Sequence, residues 1–348
     1  MDHAALGGTG IRVSRFCLGA MMFGAWGNPD RRECLRIIHR ALDAGINFLD
    51  TADTYSAGGS EEIVGEALRG RRDRVVVATK FFGPMGEDVN ERGASRRWIV
   101  REVEQSLRRL ATDHIDLYQL HRFAEDTDLE ETLGALTDLV RQGKIRAFGG
   151  SMFPAHRIVE AHWTSERRGL LRLRCEQAAY SIFAREIELA VLPTCARTGM
   201  GAITYGPLNG GWLSGRYRSP DDFTGESRVV RFAPLRRERF DPKSETSRRR
   251  LALVAELSAL AEEAGLDLPR LAIAFAGEHP AVTSVILGPR TFEQLESALG
   301  AAQLRLDPAV LDRIDELAPP GTNVAGLDTS SLPSSLQAAQ RRRPPRSR

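Results

Sequence analysis

Asp50, Tyr55, Lys80 and His121 are an acid, a phenol, an amine and an imidazole spread over the first 121 of 348 residues. Three of them close apolar, β-rich runs. Asp50 ends Gly-Ile-Asn-Phe-Leu-Asp (45–50), Lys80 ends Val-Val-Val-Ala-Thr-Lys (75–80), and His121 ends Ile-Asp-Leu-Tyr-Gln-Leu-His (115–121). Tyr55 lies in the loop just past the first run. Such groups gathered at one mouth can hand a proton to a carbonyl oxygen. That is half of a carbonyl reduction, and the hydride must come from a cofactor.

A free phenol titrates near ~10, too high for easy donation at neutral pH. The Lys80 ammonium is expected to lower that value by favouring the phenolate. A lysine held in such a place needs a counter-charge, and Asp50 can supply it. His121 can hydrogen-bond the substrate carbonyl and orient it. Alone, each residue has a blander reading: a turn-forming aspartate, a rim tyrosine, a solvated lysine, a satisfied histidine. Their recurrence at corresponding strand ends makes the set more specific than any member.

The elements that must position these residues alternate along the chain. Strands are expected at 16–19, 46–50, 74–80, 115–120, 145–150, 173–178, 200–205 and 283–287, with near-continuous apolar character that suits strands covered on both faces. Between them, Cys34, Ile37, Ile38, Ala41 and Gly45 follow helical spacing, as do Ile99, Val103, Leu107 and Leu110, and Leu129, Leu133, Leu136 and Val140. Asp30 and Ser95 suit helix N-caps, and Gly45 and Gly143 suit left-handed C-terminal positions. Eight βα units predict an α/β (β/α)8 TIM barrel, with functional groups at the C-terminal ends of its strands. A doubly wound sheet would normally carry a glycine-rich phosphate turn after its first strand. Gly8-Thr9-Gly10 precedes that strand, and both it and Gly199-Met200-Gly201 lack the third glycine. Residues 1–14 read as an N-terminal hairpin capping the barrel floor.

Composition narrows the function classes. Among 348 residues, 42% are hydrophobic and 27% charged, ordinary for a globular protein, and a net charge of +2 gives no argument for nucleic acid. No apolar run approaches a membrane span, and the N-terminus shows no secretory pattern. Cys17, Cys34, Cys175 and Cys195 are scattered, as expected of reduced thiols in a cytoplasmic protein, and no metal-ligand spacing is present. Residues 209–247 are rich in Gly, Pro and Arg without a clean period, expected as a long loop after the seventh barrel strand. Residues 1–318 are expected to form one domain, and 319–348 a disordered basic tail.

From about Leu6 to about Leu317 the chain resembles the aldo-keto reductases, in the branch that includes potassium-channel β-subunits and bacterial general aldo-keto reductases. The stretches that carry the resemblance are Gly-Ile-Asn-Phe-Leu-Asp-Thr-Ala-Asp-Thr-Tyr (45–55), Gly-Ser-Glu-Glu-Ile-Val-Gly-Glu-Ala-Leu (59–68), Ala-Thr-Lys-Phe (78–81), Gly-Lys-Ile-Arg-Ala-Phe-Gly-Gly-Ser (143–151) and Tyr-Gly-Pro-Leu-Asn-Gly-Gly (205–211). The resemblance implies NADP(H) bound without a Rossmann domain, a tetrad of Asp50, Tyr55, Lys80 and His121, and a small carbonyl substrate.

It also implies cofactor positions. Ser151 and Gln177 would bind the nicotinamide carboxamide, and Tyr205 would stack on the ring. Gly19, Ala20 and Met21, with Asp50, would line it. Gly206, Pro207, Leu208, Asn209 and Gly210 would pass the pyrophosphate, with Arg216 and Arg228 on a loop folding over it. Gly288, Arg290 and Gln294 would form the adenosine 2′-phosphate site. Phe23, Trp26, Phe82 and Phe123 are candidate linings of the substrate pocket.

Three positions depart from the family pattern. Met152 stands where asparagine often follows the serine, Ser297-Ala298 where Glu-Asn often contacts the adenine, and Ala124 where an acid often follows the catalytic histidine. The implied activity is NADPH-dependent reduction of an aldehyde or ketone, with the proton from Tyr55. The alternative is an NADP(H)-binding regulatory or redox-sensing module with little turnover.

Overall fold

Eight parallel strands close on themselves, each hydrogen-bonded to its neighbours around the ring β10-β3-β4-β5-β6-β7-β8-β9. These are β3 (Phe16–Gly19), β4 (Phe48–Asp50), β5 (Val76–Phe81), β6 (Ile115–Leu120), β7 (Ile145–Ser151), β8 (Cys175–Ala179), β9 (Gly201–Tyr205) and β10 (Val282–Leu287). All eight expected strands are present, with ends displaced by up to two residues. The computed structural model describes residues 1–223 and 244–324.

The barrel interior explains its sequence. Cys17, Phe48, Ala78, Leu117, Ala147, Cys175, Ile203 and Ile286, one from each strand, form a buried cluster inside the ring. Leu6 and Val13 of the hairpin β1 (His3–Ala5) and β2 (Arg12–Ser14) join this cluster and close its floor. Gly7 makes the closure possible. At φ +54°, a Cβ there would lie 2.7 Å from the Arg174 carbonyl oxygen and the Gly201 nitrogen.

Side chains alternate in and out along a strand. Two residues beyond the floor cluster, the same interior face therefore presents Asp50, Lys80, Gln119, Gln177 and Tyr205. An apolar plug below thus becomes a polar mouth above within one period of each strand.

The surrounding helices follow local signals. Asp30 caps α1 (Arg31–Asp43), its side chain accepting from the Arg32 and Glu33 amides. Ser95 caps α3 (Arg96–Arg109) by accepting from the Trp98 amide. Gly45 and Gly143 take φ +89° and +75° where their helices stop. α2 (Gly59–Ala67), α4 (Leu129–Arg141), α5 (Ala155–Arg168) and α6 (Val191–Thr198) complete the first units. The later helices are Glu245–Glu263, Leu268–Glu278, Phe292–Leu299 and Pro308–Leu317.

Two boundaries differ from the sequence expectation. The segment after β9 is not a bare loop over 209–223. It turns through Asn209–Ser214 and Pro220–Asp222 and buries Trp212, while Tyr217 and Phe223 stack at 4.7 Å. A helix then runs from Glu245, capped by Ser244, inside the stretch expected as loop. Residues 319–324, expected as the start of the tail, are docked on the barrel. The Arg185 amide donates to Thr322 O at 3.0 Å, Val324 N donates to Phe183 O at 3.0 Å, and Val324 is buried. These bonds hold residues 319–324 against the loop after β8, while 325–348 lie outside the described residues.

Candidate active site

Lys80 is fully buried near the end of β5, and its ammonium meets three oxygens. It lies 2.5 Å from Asp50 Oδ1, 2.7 Å from the Thr51 carbonyl and 3.4 Å from the Tyr55 hydroxyl. The adjacent pairing of β4 with β5, and of β5 with β6 through Lys80 and Gln119, brings these groups together. Asp50 Oδ2 accepts from Gln177 Nε2 at 2.8 Å and from Gln119 Nε2 at 3.3 Å. Both Asp50 oxygens are thereby occupied, and the carboxylate is fixed from two sides.

Tyr55 reaches this cluster from a tight turn, Tyr55–Gly58, in which Ser56, Ala57 and Gly58 take φ +52°, +54° and +93°. Left-handed backbone at two non-glycine residues costs energy and persists only where neighbours enforce it. Ser56 supplies that enforcement: its hydroxyl donates to Phe23 O at 3.0 Å and accepts from Trp26 N at 3.1 Å. The turn is thus pinned to the loop after β3, and the Trp26 ring stands 5.9 Å from that of Tyr55. His121, half-buried just past β6, sits edge-on to Tyr55 with ring centroids 5.7 Å apart.

The electrostatics correct one expectation. Lys80 does lower the proton affinity of Tyr55, but burial of the phenol outweighs it and Asp50 adds to burial, so the net shift is upward. Tyr55 is a phenol, not a phenolate, through the neutral range. Burial alone would lower the proton affinity of Lys80, yet Asp50 and Tyr55 reverse this and the ammonium is held charged. His121 is pushed well below the usual imidazole range by burial, with Lys80 and Arg122 acting in the same direction. A neutral imidazole offers one N–H donor.

Several of the positions assigned to a cofactor lie at ends of the same barrel strands. Ser151 closes β7 beside Gln177, with which it is paired across the β7–β8 ladder. Gly19 and Ala20 are buried at the end of β3, and Met21 is half-buried beside them. A Cβ on Gly19 would lie 2.5 Å from Ile286 Cγ2. Tyr205 closes β9, its hydroxyl donating to Met152 Sδ at 3.2 Å, and Met152 takes φ +59°. Asn209 is buried, its Nδ2 donating to Ser181 Oγ at 3.2 Å, while Pro207 is buried and Leu208 half-buried beside it. Gly206, Gly210 and Gly288 face space in which an added Cβ would meet nothing within 4 Å. The Arg290 amide donates to Gln294 Oε1 at 2.8 Å at the start of the helix Phe292–Leu299. Arg216 is exposed, and Arg228 lies outside the described residues.

Of the four aromatics assigned to the substrate pocket, Phe23 is the correction. It is fully buried and belongs to the core between barrel and helices. Trp26 is 44% exposed, and Phe82 and Phe123 are half-buried. Gln119 escaped the sequence reading, although the alternation Leu117, Gln119, His121 signals it: a polar residue on the inward face of an otherwise apolar strand. Among the described residues no cluster of metal-ligating side chains occurs. No described helix is long and apolar enough to cross a membrane.

Comparison with known proteins agrees with this geometry. The profile of the aldo/keto reductase family matches residues 15–319. The chain is 37% identical over 331 residues to "Uncharacterized oxidoreductase YrpG" of Bacillus subtilis (strain 168), covering 92% of this chain and 96% of that protein. It is 34% identical over 330 residues to "Probable voltage-gated potassium channel subunit beta" of Arabidopsis thaliana, covering 91% and 96%. A parallel barrel, a mouth built from its strand ends, and matches of this extent together make the chain a member of the aldo/keto reductase family, whose oxidoreductase chemistry acts at a carbonyl.

Proposed function

We propose that the protein reduces aldehydes or ketones to alcohols with NADPH, Tyr55 giving the proton. The observation that carries this reading is the buried contact chain Asp50–Lys80–Tyr55, with neutral His121 beside the phenol. Bound NADPH supplies the hydride, from C4 of its nicotinamide to the carbonyl carbon.

The chain's own residues do the rest. Tyr55, kept protonated by burial, donates to the carbonyl oxygen as negative charge develops there. The Lys80 ammonium stabilises the phenolate left behind, 3.4 Å away. Asp50 keeps that ammonium charged, and Gln119 and Gln177 keep Asp50 in place. His121 donates its one N–H to the same carbonyl oxygen and fixes its approach.

The residues present fit a nicotinamide dinucleotide phosphate. Gly206, Gly210 and Gly288 leave open space where side chains would stand, as a backbone cradle for phosphates requires. Gln177 commits its amide nitrogen to Asp50, which leaves its carbonyl oxygen and the Ser151 hydroxyl for a carboxamide. Arg290 has no acidic partner among the described residues and stands before a helix N-terminus, which suits a 2′-phosphate.

A screen of NADPH and NADH consumption across aldehydes, ketones and quinones tests the reading, with NADPH-driven turnover of carbonyls expected. The second reading, a cofactor-binding regulatory module, draws on the potassium-channel relative. Tight NADPH binding with no consumption across that screen would favour it and remove the first.

A further inference from the structure

Arg122 directly follows His121 past the end of β6 and is half-buried. Its Nη1 donates to the His121 carbonyl at 2.7 Å. Among the described residues no carboxylate lies within ion-pair distance of this guanidinium. Arg72, Arg109 and Arg185, also half-buried or buried, are matched by Asp116, by Glu61 and Glu102, and by Glu188 and Asp315, whereas Arg15, away from the mouth, spends its guanidinium on the Gly277 and Val282 carbonyls. Ala124, where a short acidic side chain would fall close by, is buried and apolar.

The place of this charge in the barrel matters. In the ring of strands β6 stands opposite β10, whose end leads to Gly288 and Arg290. Arg122 is therefore across the mouth from the proposed 2′-phosphate grip and is not part of it. It is on the Tyr55 and His121 side, where its field lowers the proton affinity of both. Trp26, 44% exposed, holds its ring 5.9 Å from that of Tyr55 on this same side. The substrate side of the mouth thus combines the Trp26 ring with a guanidinium that has no carboxylate partner among the described residues.

We propose that the substrates are carbonyl compounds that also carry a carboxylate, with Arg122 gripping the carboxylate while the carbonyl meets Tyr55 and His121. Guanidinium and carboxylate match in planar geometry and form charge-assisted hydrogen bonds. The carboxylate undergoes no bond change. The hydride goes to the carbonyl carbon and the Tyr55 proton to its oxygen, as for a neutral substrate. This inference rests on the carbonyl-reductase reading above.

The test compares kcat/KM of the NADPH-loaded wild-type protein for succinic semialdehyde, for its methyl ester and for butanal. The acid is expected to exceed both neutral compounds by about 10-fold or more, the effect of one hydrogen bond to a charged group. In Arg122→Met the ratio should fall toward one, and in Arg122→Lys part of it should survive. The field of Arg122 on Tyr55 and His121 acts on charged and neutral substrates alike, so it cancels in the ratio. Equal or better use of butanal by the wild type would overturn the proposal while leaving the reductase reading intact. A ratio unchanged in Arg122→Met would also overturn it. No NADPH consumption with any carbonyl would remove both.

Discussion

The ammonium of Lys80 lies 2.5 Å from Asp50 Oδ1, with the two side chains 0% and 4% exposed. A pair so fully removed from water is costly to break from one side, because the survivor is left charged and unpaired. Lys80→Met is therefore expected to cost about 3–5 kcal/mol of stability. It should also abolish most turnover. Denaturant unfolding and NADPH consumption measure the two losses separately. Near-wild-type stability would mean that Asp50 is compensated by something other than Lys80.

Gln119 and Gln177 divide the other oxygen of Asp50 between them. Gln119→Leu removes the longer of the two bonds, and with it the 3.5 Å bond that Gln177 Nε2 donates to Gln119 Oε1, while Gln177 keeps its 2.8 Å bond to Asp50. We expect stability to fall by about 1 kcal/mol, the usual net worth of one hydrogen bond. The lysine keeps its partner, so kcat should fall only a few-fold, with little change in NADPH affinity by fluorescence titration.

The directions of the proton affinities fix the pH profile. Tyr55 is raised, so its proton is present throughout the neutral range and is lost only above the ordinary phenol value of about 10. His121 is lowered well below the ordinary imidazole value, so it remains neutral from neutral pH well into the acid range. Reduction kcat/KM should thus be flat between pH 6 and pH 9, without the limb near about 6.5 that an ordinary histidine would give. A break at that position would show that His121 titrates normally.

Glu176 lies fully buried on β8, with Oε1 accepting from the Phe153 amide at 2.8 Å and Oε2 without a described partner. Burial raises its proton affinity well above the usual carboxylate range. The folded state therefore binds a proton that the unfolded state releases near about 4.3. Stability from this group is complete below that value and declines as pH rises toward the folded value. Glu176→Gln keeps the shape without the charge, and its advantage over wild type should grow from pH 5 to pH 8 in thermal unfolding.

Much of this arrangement is legible in the sequence because it rests on local rules. Apolar runs ending in Asp50, Lys80 and His121 mark the strand ends, Asp30 and Ser95 mark helix starts, and the hairpin shows in its glycine turn. The alternation Leu117, Gln119, His121 likewise marks Gln119 as a polar residue on the inward face. What depends on packing is not legible. Phe23 and Trp26 are both aromatics in one loop, yet only the fold decides that the first is core and the second exposed. The neighbourhood of Lys80 suggests a lowered phenol, and only the depth of burial reverses the sign. The docking of Val324 beneath Phe183 depends on a surface created by distant parts of the chain.

The central claim is that Tyr55 delivers the proton. Tyr55→Phe removes one hydroxyl from a buried ring and leaves the Asp50–Lys80 pair in place. We expect kcat for carbonyl reduction to fall by about 10²–10⁴-fold, the usual contribution of a positioned proton donor. NADPH affinity by fluorescence titration should change little. Wild-type turnover by this variant, with NADPH bound, would contradict the account.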